Sequence, residues 1–270
     1  PDDVKAAYSR SKNIIRKTPL DHSPALSNII DGDVYLKLDN IQKTGSFKFR
    51  GAISKMTSLN EKQRKKGVVT ASTGNHGAAV SLGMKILGIN GSIIVPENIA
   101  PNKVENIQNL GGTVEYYGND CLEAEQRAQE ISSGTGATYI SPYNDPVIVA
   151  GQGTMGVELD EDLKNIDAVI VAVGGGGLIS GIGGYLKTVQ PNVEMIGCSP
   201  KNSCVMYESL QAGRILDLPS KPTLSDGTAG GVEENSITFE ICKKIISDFV
   251  LLTEDEIAAG IRNGLEDHHQ

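Results

Sequence analysis

The sequence predicts an α/β protein built on parallel sheets with helices on both faces. Three observations lead there. Short β-branched runs alternate with segments of helical period and length, the pattern of strands joined by crossover helices. One run, AVIVAV at 168–173, is apolar without a break, which suits a strand buried on both sides. Two strand ends carry unusual glycine loops, at 72–77 and 174–177, and sites in open parallel sheets lie at the carboxyl ends of strands.

The elements follow in order. Val34–Leu38 is the first β-branched run. KTGSFKFRGA, Lys43–Ala52, alternates apolar and basic residues as an amphipathic helix start does, with Ser46 placed to cap it. EKQRKK at 61–66 is the densest charge run and reads as a solvated helix end. Val68–Ala71 is a strand, and Gly77–Leu87 has helical period. Ser92–Val95 is the next strand. Pro101–Leu110 then opens with proline at a first helical position and stops at Gly111-Gly112. Strand Thr113–Tyr117, helix Cys121–Ile131 and strand Thr138–Ile140 continue the alternation. Ala168–Val173, Glu194–Cys198 and Phe249–Leu252 are the remaining strands, with a helical segment, ISGIGGYLK, after the first.

Composition narrows the function. The 270 residues suit one large domain or two small ones, and 39% hydrophobic with 21% charged residues fits an ordinary globular protein with a real core. The 31 glycines exceed the usual ~7%, but without triplet period or a Pro/Ser-rich tract they exclude collagen and disorder. Trp is absent and aromatics are 4%, which argues against carbohydrate clefts and base-stacking platforms. A net charge of −8 argues against nucleic acid or an anionic membrane as partner. No apolar run approaches the ~20 residues of a membrane span, and the charged start PDDVKAAYSRSK lacks a signal-peptide stretch. Cys121, Cys198, Cys204 and Cys242 form no C-x-x-C pair and read as reduced thiols of a cytoplasmic protein.

Three constellations carry chemistry. GGGGL, Gly174–Leu178, sits between a strand and a helix, where backbone N–H groups can close around a phosphate. One or two glycines would suffice for a tight turn, so four point to a cradle. No Lys-Ser/Thr follows, which excludes a P-loop. GQGTMG at 151–156 matches G-x-G-x-x-G formally, but no acidic residue follows at the required distance, so these glycines are assigned to close helix packing. ASTGNHG, Ala71–Gly77, places Ser72, Thr73, Asn75 and His76 on one turn before a helix, an anion site suited to a carboxylate. An ordinary helix cap is the plainer alternative, and His76 alone reads as structural. Lys48 lies between Phe47 and Phe49, where apolar surroundings disfavour the ammonium and make the nucleophilic amine accessible.

Together, KTGSFKFRGA, ASTGNHG and GGGGL resemble the fold-type II pyridoxal-phosphate enzymes, in particular the threonine/serine dehydratase and serine racemase family. RKTPL (16–20), VPENIAPNKVENIQNLG (95–111), DPVIVAGQGT (145–154) and DGTAGG (226–231) resemble it too. The resemblance implies two open, twisted, mainly parallel sheets in a tryptophan-synthase-β-like architecture. A large domain, 1–55 and 145–270, would be interrupted by a small one, 56–144, with pyridoxal 5'-phosphate between them. It implies that Lys48 forms the Schiff base with the cofactor and serves as general base, that Phe47 packs beside the ring, and that Asn75 hydrogen-bonds the ring hydroxyl. Gly174, Gly175, Gly176, Gly177 and Leu178 would hold the phosphate. Ser72, Thr73, Gly74 and His76 would receive the substrate carboxylate. The implied activity is an ammonia-lyase converting L-threonine or L-serine to a 2-oxo acid and ammonia, in a homodimer or larger homo-oligomer.

Departures from the family pattern open alternatives. Thr73 stands where the dehydratases carry Ala and the racemases Ser, so a second acid/base, and hence amino-acid racemisation, is one. ASTGNHG also looks like the version in dehydratases of 3-hydroxyaspartate-like substrates. Ser199 and Val205 replace the acidic ligands of the racemases' divalent metal, so no metal is expected there. The chain stops at Gln270, while the family runs on by several dozen residues. The C-terminal part, with its Ser or Cys against the pyridine nitrogen, is expected to be missing. That lends weight to a non-catalytic ligand-binding or sensor protein as a rival from another class.

Overall fold

The structure is a computed structural model and describes residues Pro1–Asp267. In chain order the first elements are α1 (Asp2–Ser11), β1 (Leu20–His22), α2 (Pro24–Ile30), β2 (Tyr35–Lys37), α3 (Lys48–Ser58), α4 (Glu61–Lys66), β3 (Val68–Ala71) and α5 (Asn75–Leu87). There follow β4 (Gly91–Val95), α6 (Pro101–Asn109), β5 (Val114–Tyr116), α7 (Cys121–Thr135), β6 (Thr138–Tyr139), α8 (Pro146–Gln152) and α9 (Thr154–Asp162). The last are β7 (Ala168–Ala172), α10 (Gly177–Val189), β8 (Glu194–Pro200), α11 (Val205–Ala212), α12 (Ile237–Ile245), β9 (Ile246–Leu252) and α13 (Glu254–Asp267).

The chain divides into two compact units. One comprises Pro1–Lys5, Lys17–Asn40 and Gln152–Gln270; the other comprises Ala6–Arg16 and Ile41–Gly151. The division differs from the expected 56–144. The reason is α3, whose Phe49, Ala52, Ile53 and Met56 lie fully buried in one core with Val68, Val80, Ile93 and Ile148. An ion pair between Lys55 and Asp145 at 2.5 Å fastens the same helix to the start of α8. Lys48 therefore belongs with the 72–76 loop.

In the second unit a parallel sheet runs β5-β4-β3-β6. Its strands alternate between two cores, as a period of two requires. Val68, Ile93 and Val95 face the core shared with α3 and α5. Val69 and Ile94 face Ala124 and Ala128 of α7. Both faces are covered, which is why these strands read as solid apolar runs. The expected solvated end at 61–66 is α4, closed by a capping box between Asn60 and Gln63 and with no buried residue.

The first unit carries a parallel sheet ordered β7-β8-β9 and a short antiparallel pair, β1-β2. Here one expectation fails. The 168–173 run is not buried on both sides: Val171 and Val173 are buried, but Ala168, Ile170 and Ala172 are exposed, Ile170 by 70%. β7 is an edge strand among the described residues, and the face that carries Ala168, Ile170 and Ala172 lies open there. A buried polar tie joins β2 to α9 in the same unit. Lys37 and Glu158 form an ion pair at 2.7 Å with side chains 8% and 0% exposed, and Lys37 also donates to the Thr18 carbonyl.

The GQGTMG segment falls in α8 and α9, as close packing demands. A Cβ on Gly151 would lie 2.7 Å from the Cα of Gly51, and one on Gly153 would lie 2.7 Å from the Gly181 carbonyl. No described helix is long and apolar enough to cross a membrane.

Candidate active site

Lys48 opens α3, directly after Phe47. Ser46 does not cap this helix as expected: Phe47 is the N-cap residue and supplies no side-chain bond. The Ser46 hydroxyl is instead buried without a protein partner. The Lys48 Nζ donates to the Pro142 carbonyl at 2.9 Å and lies 5.3 Å from the centre of the Phe47 ring. Burial lowers its pKa from 10.5 to about 8. Water is the better host for an ammonium, so loss of water favours the neutral amine.

The 72–76 loop belongs to the same unit. Gly74 occupies the N-cap position of α5 and offers no side chain to its free N–H groups, whereas Ser23, Asn60 and Asp120 cap α2, α4 and α7 by side-chain bonds. The Ser72 hydroxyl accepts from the Gly74 N–H at 3.2 Å. A Cβ at Gly77 would lie 2.5 Å from the Ser72 carbonyl, so the loop folds tightly onto the helix start. Asn75 and Gly74 are exposed, and Ser72 and Thr73 are half-buried.

His76 points inward. Its Nε2 lies 2.9 Å from the Ile140 carbonyl and must carry the proton there, which leaves Nδ1 bare, buried and without a protein partner. Burial first, then the charge of Lys48, pushes its pKa down to about 3, partly opposed by the Ile140 bond. The ring is therefore neutral at physiological pH. What this position can offer an anion is its backbone N–H, in the first turn of α5.

The glycine loop stands in the other unit, between β7 and α10. Gly176 is the N-cap residue with φ +80, and α10 has no side-chain cap. Only glycine adopts that conformation at no cost. A Cβ at Gly174 would lie 2.6 Å from the Thr228 carbonyl, so that position too admits no side chain. The Val173, Gly175 and Gly176 carbonyls meet Ser199, Thr238 and Cys242 respectively. Ser199, where the racemases carry an acidic metal ligand, is thus committed to the loop's backbone, and Val205 is buried in α11.

The sequence did not disclose these partners, nor Pro142 and Ile140. They come from segments distant in the chain and include main-chain carbonyls, which carry no residue signature. Thr228 lay in a noted segment, DGTAGG, and Ile140 in an expected strand, while Ser199 and Cys242 drew notice for other reasons.

These residues fit a ligand with an aldehyde and a phosphate. A lysine amine of lowered pKa suits the first, and a glycine loop that leads into an uncapped helix start suits the second. Buried unpartnered atoms, Thr44 Oγ1, Ser46 Oγ and His76 Nδ1, lie in the lysine's unit. A lysine of the first kind and a glycine loop of the second, one in each unit, are what the chemistry of a pyridoxal-phosphate enzyme requires.

The chain belongs to the pyridoxal-phosphate dependent enzyme family, which it matches over residues 12–270. It is 44% identical over 260 residues to an L-threonine ammonia-lyase of Thermotoga maritima, covering 96% of this chain and 65% of that protein. It is 39% identical over 256 residues to the catabolic L-threonine dehydratase of Escherichia coli, covering 95% and 78%. Among solved structures it is similar to maize serine racemase, with TM-score 0.95 and 32% identity over 100% of this chain and 81% of that one. The processed form of threonine deaminase isoform 2 from Solanum lycopersicum gives TM-score 0.93 and 35% identity, covering 100% and 78%.

A pH dependence follows from Lys48. Capture of the cofactor by the apoprotein requires the neutral amine. The capture rate should rise about tenfold from pH 6 to 7 and level off above the lysine's pKa, followed by stopped-flow absorbance. A rate flat across that range would contradict the assignment. The same group acts on stability. Its folded pKa of about 8 lies below the unfolded 10.5, so the unfolded chain holds more protons in that window. The lysine's contribution to stability therefore rises with pH between those values.

Proposed function

We propose that the protein is an ammonia-lyase that converts L-threonine, and L-serine less specifically, to a 2-oxo acid and ammonia. For L-threonine the product is 2-oxobutanoate, the water lost in elimination being returned by hydrolysis. The observation that carries the reading is Lys48: a buried amine with pKa lowered to about 8 that donates to the Pro142 carbonyl, in one unit with the uncapped start of α5. Two relatives named for threonine ammonia-lyase or dehydratase activity support it.

When bound, pyridoxal phosphate withdraws electrons from the substrate's α-carbon and acidifies its proton. Lys48 would anchor the aldehyde and, once displaced by the substrate amine, accept the α-proton at Nζ. A base with pKa near ambient pH suits that transfer. Gly174–Leu178 would hold the phosphate, and Asn75 the ring hydroxyl. Phe47 would flank the ring. Ser72, Thr73, Gly74 and the His76 N–H would orient the substrate carboxylate at the start of α5, where the helix dipole favours an anion. The protein would act in the cytoplasm, as its four free cysteines suggest, and as a homodimer or larger assembly, as the family resemblance implies.

A second reading, racemisation of serine, is favoured by the Thr73 hydroxyl and by the likeness to maize serine racemase. Thr73 would deliver a proton to the face opposite Lys48. Incubating the intact protein with L-threonine and L-serine, and measuring 2-oxo acid together with the chirality of residual serine, separates the two. The expected result is 2-oxo acid as the main product. Thr73→Ala should abolish any D-serine and spare elimination. If neither amino acid yields 2-oxo acid, the ammonia-lyase reading fails.

A further inference from the structure

We propose that Thr238, backed by Ser236, is a positioning residue that aims the N–H groups of the glycine loop at the cofactor's phosphate. This rests on the reading that Gly174–Leu178 takes that phosphate.

The argument starts with proton counting. The Thr238 hydroxyl lies 2.6 Å from the Gly175 carbonyl and 2.6 Å from the Ser236 hydroxyl. A hydroxyl has one proton to give. Thr238 gives it to the carbonyl, which accepts only, so at the other contact Ser236 is the donor. Both residues are buried, Thr238 at 0% and Ser236 at 4% exposure. The chain of donors therefore runs one way, from Ser236 through Thr238 to the loop's backbone.

Peptide geometry converts that bond into a direction. No described peptide bond is cis, and in a trans peptide the carbonyl of one residue and the N–H of the next point to opposite sides. Pulling the Gly175 carbonyl back turns the Gly176 N–H forward. The pattern repeats on both sides. Ser199 donates to the Val173 carbonyl at 2.5 Å, which turns the Gly174 N–H forward. The Gly176 carbonyl takes the Ser180 N–H at 3.0 Å and faces the Cys242 thiol at 3.9 Å, which turns the Gly177 N–H forward. Burial pushes the Cys242 pKa up to about 11, so its thiol keeps the proton. The space behind Gly176 is filled, since a Cβ there would lie 2.8 Å from the Cys242 sulfur and 3.0 Å from Met206. Three carbonyls are thus held from the rear by side chains lying 26 to 66 residues away in the chain, and Thr238 holds the central one.

The test compares two ligands that differ only in the phosphate. Dissociation constants for pyridoxal 5'-phosphate and for pyridoxal are measured by absorbance titration of the intact apoprotein. Thr238→Val keeps the volume and removes the donor. It should weaken pyridoxal 5'-phosphate about tenfold, leave pyridoxal within about twofold, and be rescued by Thr238→Ser, because a bond to a charged group is strengthened by fixed donors. Equal losses for both ligands, or none, would overturn the inference. Ser236→Ala is the second variant should Thr238→Val not fold. It should give a smaller loss, about threefold, confined to the phosphorylated ligand; an unselective loss or none counts against the proposal. Wild-type protein that binds pyridoxal as tightly as pyridoxal 5'-phosphate would overturn the phosphate reading itself, which separates the two failures.

Discussion

Replacing Lys48 with alanine should lower 2-oxobutanoate formation from L-threonine by at least about a thousandfold, because one side chain serves as both anchor and base. The absorbance of protein-bound cofactor should vanish with it. Lys48→Arg should be equally inactive: a guanidinium keeps the charge but stays protonated at every working pH. That contrast matters, since the argument for Lys48 rests on its ability to lose a proton. The environment that lowers its pKa to about 8 would favour loss of charge, and an arginine there cannot comply. Activity of either variant within tenfold of wild type would remove Lys48 from the chemistry.

The second large effect is on stability and lies away from Lys48. Glu158→Ala should destabilise the protein by about 3–5 kcal/mol, read from urea unfolding. The Glu158 carboxylate is 0% exposed and sits 2.7 Å from the Lys37 ammonium, itself 8% exposed. Removing the carboxylate strands that ammonium in a buried position with the Thr18 carbonyl as a remaining partner. The double variant Lys37→Met with Glu158→Leu should recover most of the loss, because two apolar side chains can replace a buried pair at little net cost. A loss below about 1 kcal/mol in the single variant would mean that water reaches the pair.

The fold was legible wherever strands are buried on both faces. Val68–Ala71 reads as a strand from its apolar, β-branched residues, and the structure agrees to the residue. β1 was missed because it is three residues long and two of them, Asp21 and His22, are exposed. β7 was found, but its burial was misjudged. A solid apolar run reports hydrophobicity and not which face is covered, and Ile170 lies open. The domain boundary was drawn by family resemblance at 55/56, whereas packing of Phe49, Ile53 and Met56 assigns all of α3 to the unit of the 72–76 loop.

The site was legible to the extent that it depends on residue type. A lysine between phenylalanines and a four-glycine run announce themselves. The carbonyls of Pro142 and Ile140 against Lys48 and His76 could not be read, since any residue supplies a carbonyl. Ser46 looked like a helix cap because capping is the usual fate of a serine before a helix. In the folded chain its hydroxyl is buried with no protein partner. Thr238 gave no signal at all, being an ordinary threonine 63 residues from the glycine whose carbonyl it holds.

The most direct test is to find where the cofactor attaches. The intact protein loaded with pyridoxal 5'-phosphate is reduced with borohydride, digested, and its modified peptide sequenced by mass spectrometry. The added mass should fall on Lys48, in the peptide that carries Phe47 and Phe49. Modification of a different lysine, or of none, would contradict the assignment of Lys48 as the anchor.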